Sequence, residues 1–145
     1  MKIFPLVILL SVLAACSNQP RNVSSSISPS GEVSAITKSL ISTDEFIELP
    51  FWKELVGKGS SGLSAEEIAQ AKAAVYRFYQ HVSIRDGYYV CDLSSASEIK
   101  VSEEVFNDFT NNLKEINAFI KERRQNGVQI DLPEVTEEYL NSLLD

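Results

Sequence analysis

The stretch SEEVFNDFTNNLKEINAFIKERRQNG, Ser102 to Gly127, decides the fold. Its apolar residues Phe106, Phe109, Leu113, Ile116 and Ile120 fall at alternating intervals of three and four, the spacing that lines side chains along one face of an α-helix and turns that face to a core. Ser102 stands where an N-cap is needed, its hydroxyl able to accept from the free amides of the first turn. Asn126-Gly127 ends the stretch with residues that tolerate the left-handed conformation past a helix terminus. Glu103 and Glu104 at the start, and Lys121, Arg123 and Arg124 at the end, complement the helix dipole. Neither group therefore requires a catalytic or anion-binding explanation.

Working outward, Ser64 with Glu67 three residues on forms a capping box, and Ile68, Ala71, Val75, Phe78, Tyr79 and Val82 recur at helical spacing to about Val82. Arg85-Asp86-Gly87 breaks this helix. Tyr88 to Leu93 is short, aromatic and β-branched, and is expected to pair with Glu98 to Val101 across Ser94-Ser95-Ala96-Ser97 as a hairpin. Farther upstream, Thr43 caps a short helix expected from Asp44 to Val56, with Pro50 dividing it near Leu49. Downstream, Val128, Ile130 and Leu132 alternate with polar residues as a short strand, and Thr136 caps a last helix carrying Tyr139, Leu140, Leu143 and Leu144. These elements predict a mainly α fold, or α+β if the strands extend: a small bundle of three to four helices with a minor β-hairpin. They form one domain over residues 43–145, and no internal repeat is present.

Ahead of that domain, Ser17 to about Ser34 is rich in serine, asparagine, proline and glycine and holds no aromatic residue. Such composition buries too little apolar area to offset the entropy of ordering it. Residues 16–42 are accordingly expected to form a flexible tether, its 26 residues from Ser17 to Ser42 spanning about 30 Å.

The first residues read as an export signal: a basic start at Lys2, an apolar core and small residues at Ala14 and Ala15. Thirteen residues separate Lys2 from Cys16, fewer than the roughly 20 that cross a bilayer, and Pro5 lies among them. Leu13-Ala14-Ala15-Cys16 resembles the lipobox of bacterial lipoproteins, a resemblance confined to residues 1–16. It implies cleavage of a signal peptide at 1–15 and attachment of lipid to Cys16, which becomes the first mature residue. Two or three acyl chains then hold a protein on a membrane essentially permanently. By the same resemblance, Ser17 in place of an aspartate implies the outer membrane, and the absence of an acidic run after Cys16 implies a periplasm-facing position.

Removing Lys2 with the signal leaves 12 Lys and Arg against 20 Asp and Glu, a net charge of −8. That sign disfavours nucleic acid and anionic headgroups as direct partners, so contact with the membrane falls to the lipid on Cys16. With Cys16 a thioether, Cys91 has no partner within the chain, and a hydrophobic core rather than a disulfide has to hold the fold.

Candidate chemistry is sparse, and the residues point to no cofactor and no metal site. Gly57, Gly59 and Gly62 satisfy G-x-G-x-x-G, but the dinucleotide fingerprint needs a preceding strand where Phe51 to Val56 reads as helix. His81 is the only histidine and has no recognisable nucleophile beside it. Cys91 reads as a small apolar residue sharing a strand face with Tyr89. The pairs Glu66-Glu67, Glu103-Glu104 and Glu137-Glu138 each open a helix. Aromatic residues crowd the first half of the domain, and any left exposed together would mark a contact surface, with Phe51, Trp52, Tyr76 and Tyr88 the candidates.

These readings imply a lipid-anchored envelope protein without enzymatic activity that binds another protein, as an accessory subunit or an inhibitor of the immunity type. A hydrolase of peptidoglycan or another envelope polymer is the alternative. A cleft joining His81 to two carboxylates would favour the hydrolase, and a flat aromatic patch would favour binding.

Overall fold

A computed structural model describes residues 29–58, 62–142 and 144. Cys16 and the signal segment lie outside the described residues, as do Gly59 and Leu143. The fold is mainly α with one small antiparallel hairpin, as expected. In chain order come α1 (Pro29–Ser42), α2 (Trp52–Lys58), α3 (Ala65–Tyr79), β1 (Val82–Arg85), β2 (Tyr88–Cys91), a 3-10 turn (Ala96–Ile99), α4 (Glu103–Gln125) and α5 (Glu137–Ser142).

Helix α3 forms the centre because its sequence lets neighbours approach closely. Ala69, Ala71, Ala73 and Ala74 are wholly buried, and Val75, Phe78 and Tyr79 fill the space beyond them. The expected capping box is present: the Glu67 amide donates to Ser64 Oγ at 3.2 Å, and the Ser64 amide donates to Glu67 Oε2 at 2.7 Å. The helix stops at Tyr79, short of the expected Val82, which opens β1 instead.

On one side of α3 lies α1, and here the expected boundary at residue 43 is corrected. Pro29 takes the first helical position, where its missing amide costs nothing, and Glu32 supplies the first-turn carboxylate. Val33, Ile36, Leu40 and Ile41 follow at intervals that make one stripe, which packs on Leu63, Ile68 and the bare flank of α3. Thr37 is completely buried in that seam and donates its hydroxyl to the Val33 carbonyl at 2.7 Å, which makes its burial tolerable. The helix raises the number of helices among the described residues to five, above the three to four expected.

On the other side, α4 lays its stripe on the core as its spacing predicts: Val105, Phe109, Leu113, Ile116 and Ile120 are buried and Phe106 is half-buried. Ser102 caps it, accepting from the Val105 amide at 3.3 Å. Phe109 is central, with its ring 5.2 Å from Trp52 edge-on and 5.0 Å from Phe78. The three acidic pairs occupy first turns as expected, and Thr136 caps α5 through the Tyr139 amide.

The hairpin forms with a different partner from the one expected. Tyr88–Cys91 pairs backward with Val82–Arg85, Ile84 opposite Tyr89, and not forward with Glu98 to Val101. The cause is Asp86-Gly87, whose positive φ values of 51° and 80° build the two-residue turn that matches strand twist. A Cβ at Gly87 would also meet the Arg124 guanidinium at 2.5 Å, which the long arginine side chain would have to move to relieve. Residues 98–101 instead close the 3-10 turn, and Val101 makes an isolated parallel bridge to Ile47. Two further elements differ. Residues 44–49 are extended rather than helical because the core takes Ile47 and Leu49 on alternate positions, which leaves only the part after Pro50 to form α2. The stretch from Val128 to Leu132 pairs with no strand, although Ile130 is buried.

Candidate functional site

The charged group most deeply embedded in the domain is Arg77, two residues from the end of α3 and only 7% exposed. Its Nη1 donates to the carbonyls of Glu45 at 2.8 Å and Ile99 at 3.2 Å. Its Nη2 donates to Leu40 at 2.7 Å and Thr43 at 3.0 Å. A single planar fork thus ties the end of α1, the extended segment and the 3-10 turn to α3. Burial lowers the guanidinium pKa, while Asp44 and Glu45 act in the opposite sense. Since all these acceptors are main-chain oxygens, the arginine is occupied in holding the fold.

A second polar device joins α4 to the hairpin. The Asp92 amide donates to the His81 carbonyl at 3.0 Å, which sets the alternation of the ladder, so the main-chain groups of Tyr89 point away from β1. Asn117 meets both: the Tyr89 amide donates to its Oδ1 at 2.9 Å, and its Nδ2 donates to the Tyr89 carbonyl at 2.7 Å. The side-chain amide acts as a third strand one residue long. Asn117→Ala should therefore lower stability by about 2 kcal/mol, the cost of leaving that half-buried pair unmet. Chemical denaturation should show this drop, with exposed Asn111→Ala as a neutral comparison.

Beside this device, burial raises the pKa values of Tyr79, Tyr89 and Tyr139, the last two to about 12. The Tyr89 hydroxyl donates to the Pro133 carbonyl at 2.8 Å, whereas the fully buried Tyr79 hydroxyl meets no partner among the described residues. Cys91 is half-buried, and burial raises its thiol pKa despite a hydrogen bond from the Leu93 backbone. Its environment is that of a packing residue, in which burial outweighs the hydrogen bond that favours the thiolate.

The four aromatic residues expected to form a partner surface are not assembled into one. Phe51, Trp52 and Tyr76 are buried at 9%, 2% and 9% exposure. Because α2 begins just after Pro50, it turns Phe51, Trp52 and Leu55 inward, and the Trp52 indole donates to Asp108 Oδ2 at 2.7 Å. Tyr88 is half-buried with the Arg124 guanidinium 5.1 Å from its ring centre. Gly57, the first glycine of the pattern, lies within α2 and not after a strand, which removes the dinucleotide context. His81 is exposed, and among the described residues no three His, Cys, Asp or Glu side chains are grouped to hold a metal ion.

Phe46, which a helix over residues 44–56 would count with its apolar surface, is the one large apolar side chain exposed among the described residues, at 55%. The extended segment explains its direction. Ile47, Leu49 and Phe51 point inward while Phe46, Glu48 and Pro50 point outward. The outward row runs into a shallow hollow of about 300 Å³ lined by Glu48, Pro50, Phe51, Glu66, Glu67 and Gln70. His81 does not line it. Comparison with the models of known protein families, with curated proteins and with solved structures gives no match.

Proposed function

We propose that this chain is a lipid-anchored protein of a bacterial cell envelope that binds another protein, as an accessory subunit or an inhibitor of the immunity type, and performs no chemistry itself. Exposure of Phe46 carries the binding half of the reading: folding drives large apolar side chains inward, and this one sits in an outward row between acids. The polar groups most firmly placed, Arg77, Asn117 and Asp108, are engaged in holding main chain or packing. Anchoring is supported by Leu13-Ala14-Ala15-Cys16, and Ser17 favours the outer membrane with the domain in the periplasm. Among the described residues no helix is long and apolar enough to cross a membrane.

Cys16→Ala tests the anchor. The variant should keep its signal segment or appear in the aqueous phase, whereas the parent, carrying lipid, should partition into detergent. A variant with the parent's mature mass that still partitions into detergent would show that Cys16 is not the lipid acceptor.

A further inference from the structure

We propose that the outward row Phe46 to Pro50 and the hollow beside it form the docking surface, and that the partner presents a basic segment carrying an apolar side chain. The inference rests on the protein-binding reading and names its site and its chemistry.

Three observations converge on this surface. The row carries Phe46 and Pro50 as apolar contacts with Glu48 between them. The hollow, with Phe51 in its lining, has Glu48, Glu66 and Glu67 around it. Glu67 is committed to the Ser64 amide, but Glu48 and Glu66 take part in no ion pair among the described residues. The surroundings are acidic as well. Asp44 and Glu45 precede the row, and Glu103 and Glu104 open α4 shortly after Val101, the bridge partner of Ile47. Among the described residues Lys53 pairs with Glu104 at 2.9 Å and Lys100 with Asp44 at 3.8 Å.

An apolar centre within a carboxylate rim selects its ligand on two counts. Lysine or arginine side chains on Glu48 and Glu66 steer and orient the partner, and an apolar side chain against Phe46 and Pro50 supplies the desolvated centre of the contact. A bare polycation meets the first requirement alone, and a neutral apolar segment meets only the second. The extended backbone of residues 44–49 and its fixed pleat present the row without rearrangement, because Ile47 and Leu49 are anchored in the core.

Two measurements on the full lipidated chain test this. In the first, a decapeptide of alternating lysine and leucine is titrated against the detergent-solubilised protein beside an oligolysine of equal charge. The mixed peptide should bind at least about tenfold tighter, and Phe46→Ala or Glu48→Lys should each remove about tenfold of its affinity. Both positions are exposed, so both variants should fold. Equal binding of the two peptides, or indifference to both substitutions, overturns the proposal.

In the second, a photo-crosslinking residue replaces Phe46, or exposed Gln125 at the far end of α4, in the protein on its own membrane. A discrete adduct from position 46 whose attached peptide is basic supports the site. An adduct from position 125 alone keeps the protein-binding reading and overturns the site. No adduct from either position overturns both.

Discussion

Arg77→Ala should destabilise the domain by about 3 to 5 kcal/mol, one of the largest single-residue effects in the molecule. The substitution leaves the buried Ile99 carbonyl and the part-buried carbonyls of Leu40, Thr43 and Glu45 without their donor. Such a loss is a large part of the roughly 5 to 15 kcal/mol that holds a domain of this size. Arg77→Lys should recover less than half of it, because one ammonium lacks the planar fork that spans acceptors from three segments. Urea denaturation of the two variants beside the parent measures both effects. Equal stability of Arg77→Ala and the parent would show that the guanidinium is a passenger.

Removing everything before Thr43 should cost at least about 3 kcal/mol, because it strips the α1 stripe of Val33, Ile36, Leu40 and Ile41 from α3. Ile68 and Ala69 would then face water, and Arg77 would lose the Leu40 carbonyl. The two perturbations share that partner, so they should not add: Arg77→Ala should cost less in the shortened chain than in the full one. Thermal melts of the four combinations decide the matter. Coincident melts of the full and shortened chains would return α1 to the status of a tether.

What the sequence disclosed was whatever is encoded within a few residues. The Ser64 and Glu67 capping box and the three-four rhythm from Phe106 to Ile120 are local devices, and both are found where they were expected. Helix α1 was hidden by averaging: serines dominate the composition of residues 17–42, yet Val33, Ile36, Leu40 and Ile41 already carry helical spacing within it. The hairpin was misassigned for a related reason. Asp86-Gly87 suits the end of a helix, yet the same pair between Val82–Arg85 and Tyr88–Cys91 is a strong short-range signal for a two-residue loop.

The candidate surface was less legible. Whether Phe51 and Trp52 face a core or a partner depends on where α2 begins, and that start is set by packing against α4 as much as by Pro50. A helical period over residues 44–49 groups Phe46 with Ile47 as apolar surface and gives no sign that the two part company. With a period of two, the outward position of Phe46 becomes plain. The part played by Arg77 had no local trace, since its acceptors lie 22 to 37 residues away along the chain.

Asn117 also covers part of an edge of the hairpin. A two-stranded hairpin leaves the outer side of each strand as a row of donors and acceptors, and such rows recruit strands from neighbouring molecules. Along β2 that row is interrupted at Tyr89, where the amide of Asn117 already occupies the place an incoming strand would need. The residue is in this sense a guard against self-templating, and its value rises with crowding. If lipid on Cys16 confines many copies to the plane of one membrane, their hairpins meet far more often than in dilute solution, and the first sign of an unguarded β2 edge would be aggregation of protein that is still folded.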